Sequence, residues 1–340
     1  MSNAVAGRPK TGNASMTVLA LLPWNTCNAR CAHCGPNSGP KDRTRIAHDD
    51  IMTLIREAGA RYAGSEWCLS LSGGEIFLHY DELLSFCREA KKLGGYTTLI
   101  TNGFWASSVE RAVEMLRPLK DAELRILGMS VGQYHRQYIP PAHVANAIKA
   151  AREVGIRPHI RMASTKSFRL WQMMQELSQH GLWFVDFMEM PITPAGRAEF
   201  EIDVSELVLE DELPTGGCPA PGLTINPQGE GMYCCNGAGE YGLSVGNIRD
   251  HTYGELEERF NGSLLLDFLL KFGPAKALDL LDSADAERLR AKKYVSVCHL
   301  CMEVIRDPVR LALLEQRVAE WYRARLREWM PDLDLADSAP

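Results

Sequence analysis

The chain has 340 residues, 46% hydrophobic and 24% charged, the balance of a globular protein with a length of about two domains. Its net charge of −6 argues against a nucleic-acid partner, whose binding surfaces are basic. No apolar run approaches the ~18 residues of a membrane span, and residues 1–15 are a polar tail without the apolar core of a signal peptide, so a cytoplasmic protein with no membrane partner is expected.

From residue 17 strands and helices alternate. "TVLALLPW" (17–24) reads as a strand, and "HDDIMTLIREAGARY" (48–62) has helical spacing with acids in its first turn. Strands then follow at 67–74, 97–103, 124–131, 157–164 and 183–192. Helices fall between them at 80–94, 108–119, 142–155 and 169–181. Such alternation implies a parallel sheet with right-handed crossovers. Six strands fall short of the full eight, so the fold class is α/β, a partial (β/α)6 TIM-type barrel over 16–200 with its site at the C-terminal strand ends. Beyond it, 211–251 is rich in Gly, Pro and Cys, and a second small unit is expected over 201–306, packed on the open barrel. Helical pattern returns at 252–293. Residues 307–330 read as one amphipathic helix opening a C-terminal segment of 307–340.

Ten cysteines in a reducing compartment point to metal ligands or catalysis rather than disulfides. Cys27, Cys31 and Cys34 follow the first strand as C-x3-C-x2-C. A structural zinc would take four ligands, with His33 available as the fourth. A [4Fe–4S] cluster held by three thiolates leaves one iron open for a small molecule. Cys218, Cys234, Cys298 and Cys301 form a second group, which ligand chemistry alone leaves open between Zn(Cys)4 and [4Fe–4S]. Cys235 is left over beside it, as a space-filling thiol, a substitute ligand for Cys234, or a hydrogen-atom donor through its weak S–H bond. Cys68 and Cys87, in a strand and on a helix, read as inert buried thiols, and His159 as a core histidine.

The first loop resembles the signature of the radical S-adenosylmethionine (SAM) superfamily. That resemblance implies that SAM binds the open iron and is cleaved to methionine and a 5′-deoxyadenosyl radical, which abstracts a hydrogen atom. Further segments resemble the family in order. In "SGGE", Gly73 and Gly74 let backbone approach a ligand, and Glu75 would meet the methionyl amine of SAM. In "TNG", Thr101 and Asn102 would reach a ribose. Ser130 ends strand 4, Arg161 would face the SAM carboxylate, and Arg197 in "PITPAGRA" lies where the family contacts adenine and carboxylate. Tyr134 and His135 are substrate-contact candidates, with loop packing as the alternative. Trp24, Phe104 and Trp105 would wall the site or only pack.

The order of the second cysteine group resembles the twitch domain, a shortened SPASM domain, which implies an auxiliary [4Fe–4S] cluster. With "GEGMYCC" and "VCHLC", the chain is similar to radical SAM epimerases that convert residues of ribosomally made peptides to their D forms. In those the second cysteine of the pair is the donor, here Cys235. One position departs: Gly132 stands where the family's "S-x-D-x-Y-H" has its acid. Twitch enzymes that epimerise or oxidise a sugar or cyclitol therefore remain an alternative to a peptide-acting one. A zinc-bearing scaffold protein is the alternative outside enzymes. The implied partners are the substrate and an external electron donor such as a flavodoxin or ferredoxin.

Overall fold

The apolar run that opens the barrel forms only a short strand, β1 (Val18–Leu21), and the chain leaves the sheet before Pro23. The computed structural model describes residues 18–219, 222–234 and 243–329. Strand and helix then alternate as the periodicity predicts: α1 (His48–Arg61), β2 (Trp67–Leu71), α2 (Tyr80–Lys92), β3 (Gly95–Thr101), α3 (Val109–Asp121), β4 (Leu124–Gly132), α4 (Pro141–Glu153), β5 (Arg157–Ser164), α5 (Leu170–Ser178) and β6 (Asp186–Pro191). Local signals mark the boundaries. The Ser108 hydroxyl accepts from the Arg111 N–H at the start of α3 (3.2 Å), and Pro141 opens α4, where no N–H is needed.

β1 to β6 pair in parallel, each with its sequence neighbour. The fold is α/β, with the parallel sheet of a partial TIM-type barrel. The sheet continues past β1 through β7 (Thr224–Ile225), β8 (Glu230–Met232) and β9 (Ser244–Asn247), in the order β6-β5-β4-β3-β2-β1-β7-β8-β9. β7 pairs in parallel with β1, with Ala20 beside Thr224. The Gly- and Pro-rich stretch thus holds strands of two to four residues, too short to carry a period-2 pattern.

Helices close the chain: α6 (Ala198–Glu201), α7 (Tyr253–Gly262), α8 (Leu264–Lys271), α9 (Gly273–Ala277), α10 (Ser283–Arg290), α11 (Val297–Ile305) and α12 (Pro308–Trp329). The main core lies between sheet and helices and takes in Leu223, Ile225, Val245, Tyr253 and Leu256 from beyond the barrel. A second core gathers α8 to α12 around Phe268, Leu278, Leu300 and Leu314. No described helix is long and apolar enough to cross a membrane.

Candidate active site

The inner face of the sheet presents Ala20, Ser70, Ile100, Ser130 and Arg161 from β1 to β5, with Thr224 from β7. They leave a cavity of about 440 Å³, roofed at the C-terminal strand ends by Cys27, Cys31, Cys34, Gly73, Gly74, Glu75, Thr101, Asn102 and His135. The first cysteine group and most of the residues singled out in the sequence therefore meet in one place.

The cysteine loop (27–38) is held from several sides. Gly74 donates to Trp24 O and Glu75 to Thr26 O, both at 2.9 Å. A Cβ on Gly74 would lie 2.0 Å from Thr26 O, so this glycine is required by the chain's own close approach. Asn25 donates to Asp42 Oδ2 (2.7 Å) and accepts from the Ser38 hydroxyl (2.7 Å). Backbone N–H groups point at two of the sulfurs, Ala29 N at Cys27 Sγ (3.4 Å) and Ser38 N at Cys34 Sγ (3.3 Å). Burial pushes the Cys27 thiol up to about 11 and the Cys31 thiol up to about 12, and neighbouring thiols add to both. Such thiols ionise when a cationic group binds them.

Arg197 is turned toward the cysteine loop. Its guanidinium donates to three carbonyls of the cysteine loop, Cys31 O (2.8 Å), Asn37 O (2.9 Å) and Ser38 O (2.6 Å). Its own N–H bonds Cys34 O (3.0 Å). In this arrangement Arg197 clamps the loop.

Glu75 and the "TNG" turn are also committed to one another. Glu75 is 1% exposed and accepts from Thr101 Oγ1 (2.6 Å), Asn102 N (2.8 Å) and Phe77 N (3.1 Å). Burial pushes its carboxyl up to about 7 against the pull of these bonds. The Thr101 hydroxyl, its proton given to Glu75, accepts from Trp105 Nε1 (3.0 Å). Asn102 donates to Asn28 Oδ1 (2.9 Å) and accepts from Phe104 N (2.9 Å). The Thr101 hydroxyl proton is thus engaged by Glu75, while Asn102 lines the cavity beside it. Trp24 and Trp105 are packed into the core.

The polar groups left for a ligand lie lower in the cavity. Ser70, Ser72 and Ser130 line it with hydroxyls that have no hydrogen-bond partner among the described residues, and Arg161 lines it without an ion pair among them. Ser70 and Ser72 were missed in the sequence; their alternation in "CLSLSGG" is the signal that puts both on one face.

His135 reaches the cavity, and its ring packs edge-on against His33 at 4.5 Å. Burial lowers His135 to about 4 and His33 well below its usual range. Each has an Nδ1 sealed from solvent without a partner among the described residues. Tyr134 packs instead in a small apolar group with Ile192 and Leu207.

The second cysteine group also converges. Cys218, Cys234, Cys298 and Cys301 line one apolar pocket with Tyr233, Leu266 and Met302. Cys298 and Cys301 sit three apart in α11, on one helix face. Burial and the nearby thiols push Cys301 up to about 12. Cys235 lies outside the described residues. The nine described cysteines are all free of disulfides. Among the described residues no three or more His, Cys, Asp or Glu converge as ligands of a single metal ion; in a cubane each thiolate binds a different iron, so its ligands stand wider apart.

Residues 21–168 match the Radical SAM superfamily. The chain carries a radical SAM domain. It is 25% identical over 309 residues to a protein named for peptide biosynthesis, YydG of Bacillus subtilis (strain 168), covering 88% of this chain and 96% of that protein. In fold it is similar to native anSMEcpe with bound AdoMet, with a TM-score of 0.54 at 14% identity, over 92% of this chain and 98% of that one. The same protein with AdoMet and the Kp18Cys peptide gives 0.52 over 93% and 99%. A radical SAM domain implies SAM and a [4Fe–4S] cluster as cofactors, and the three-thiol donor set roofing the cavity fits that group.

Proposed function

We propose that this radical SAM enzyme modifies a peptide, inverting one residue, with Cys235 returning the hydrogen atom. The observation that carries the reading is the meeting of Cys27, Cys31 and Cys34 with Ser130 and Arg161 around one cavity at the strand ends. The relative named for peptide biosynthesis favours a peptide over a sugar. Cys27, Cys31 and Cys34 would hold a [4Fe–4S] cluster, which when bound would supply the electron for SAM cleavage. Arg161, a cation without an ion pair among the described residues, suits the SAM carboxylate. Ser70, Ser72 and Ser130 offer hydroxyls to its remaining polar groups.

The four-cysteine pocket would hold an auxiliary [4Fe–4S] cluster beside Cys235. After one hydrogen atom is lost from the substrate α-carbon, the Cys235 S–H supplies another from the opposite face, and the residue is inverted. The sulfur is left one electron and one proton short; an external reductant of the flavodoxin or ferredoxin class supplies the electron and solvent supplies the proton.

The test joins metal content to isotope. Anaerobically purified protein should carry about eight irons for two clusters. Cys235→Ala should keep both clusters and still form 5′-deoxyadenosine, yet lose inversion. Wild-type turnover in D2O should fix one deuterium at the inverted carbon, since a thiol exchanges with solvent. A product two mass units lighter with no deuterium, made equally well by Cys235→Ala, would identify a dehydrogenase instead.

A further inference from the structure

β6 is the last strand at one end of the sheet and is paired to β5 alone. A closed barrel would cover this flank with further strands. Here the sheet grows at its other end, through β7 to β9. Among the described residues no backbone group bonds the outer side of β6. Proteins usually blunt such an edge with Lys, Pro or a covering element. β6 has a proline only at its last residue, its two acids are paired back to Arg157 (Asp186) and Arg169 (Glu189), and between them Phe187 is 59% exposed and Met188 48%. Trp183 and Phe184, just before it, are exposed as well.

The register ties this edge to the active site. Asp186, Met188 and Met190 alternate onto one face, where Met188 stands beside Arg161 and Met190 beside Ala163. Arg161, Ala163 and Met190 all line the cavity. The methionine row therefore runs along the inner face of the open edge and into the cavity.

A row of unpaired N–H and C=O groups is matched by another length of extended backbone, which a sugar or cyclitol does not offer. We infer that the substrate is a peptide that docks in extended form along β6, as a seventh barrel strand. Met188 and Met190 contact its inward side chains, and the residue to be modified is carried past Met190 into the cavity. The inference rests on the peptide reading above and gives that reading a binding surface. Methionine, flexible and polarizable, fits varied side chains at such a surface. A second copy of this chain fits the edge less well, because it would cover the cavity mouth beside Met190.

The probe is a phage-displayed library of random decapeptides, panned anaerobically against the reconstituted full-length protein. The tightest binder is then synthesised with a fluorescent label. Enriched peptides should be apolar at alternate positions. N-methylating the peptide backbone one residue at a time should weaken binding ~10-fold at every second position and little between, each loss being one hydrogen bond. Met188→Lys should weaken binding by a similar factor. Uniform tolerance of N-methylation, or unchanged binding to Met188→Lys, overturns the docking site. So does a concentration-dependent dimer that Met188→Lys dissociates, which would make the edge an interface between copies. Protein that forms 5′-deoxyadenosine from SAM under dithionite yet enriches no peptide overturns this inference and leaves the radical SAM chemistry standing.

Discussion

Glu75 illustrates how a motif residue changes meaning once its neighbours are known. The sequence offers a carboxylate two residues beyond the pair Gly73–Gly74's start, free to meet an ammonium. In the fold it takes three donors from two loops: Thr101 Oγ1, Asn102 N and Phe77 N. Glu75→Ala would leave these buried donors without an acceptor and should destabilise the metal-free protein by about 2–4 kcal/mol at pH 5. The pH dependence has a definite sign. Burial raises the folded carboxyl to about 7 from 4.5, so its stabilising contribution is full below 4.5 and is lost as pH rises through 7. The gap between wild type and Glu75→Ala should therefore narrow from pH 5 to pH 8. Urea unfolding at both pH values measures it; a residue that only contacted ligand would show no gap in the metal-free protein.

At the scale of elements, the long alternating segments were legible because burial imposes their periods. β3 reads buried and half-buried in strict turn, and α2 buries Leu83, Leu84, Phe86, Cys87 and Ala90 on one face. What escaped was contact between segments distant in the chain. Nothing local in "LTIN" announces that Thr224 lies beside Ala20, and nothing in "PAGRA" announces that Arg197 clamps carbonyls some 160 residues earlier. The departure at Gly132 has such an origin too. At the end of β4 its φ is 142°, and a Cβ there would stand 2.6 Å from Ala163 O on β5. The backbone itself excludes the acid that the resemblance leads one to expect. Gly132→Asp should thus not restore a substrate contact. It should destabilise the protein by about 1–3 kcal/mol, and Gly132→Ala by a similar amount, since the strain begins at Cβ. Thermal unfolding of the two variants decides: a stable Gly132→Asp protein with improved turnover would mean that β4 and β5 separate to admit it.

For the whole molecule, the cysteine pattern divides the chain near residue 200, but the packing divides it later. The strands β7 to β9 extend the barrel sheet, and Ile225, Val245, Tyr253 and Leu256 are buried in the barrel's own core. The seam is closed by polar contacts as well. Tyr253 Oη bonds Tyr62 Oη at 2.8 Å and the Val18 carbonyl at 3.2 Å, and its N–H donates to Glu57 Oε2 at 2.7 Å. The helices α8 to α12 gather a separate core. A fragment ending at residue 210 would uncover the edge of β1 and open the main core where those side chains had closed it. A fragment ending at residue 262, after α7, keeps sheet and core complete. Expressed without metal, the longer fragment should unfold cooperatively in urea and the shorter should not, with fluorescence of the buried Trp24 and Trp67 among the signals that report it. Cooperative unfolding of the shorter fragment would place the structural boundary where the sequence suggests, and would make β7 to β9 an attachment to the barrel rather than part of what holds it together.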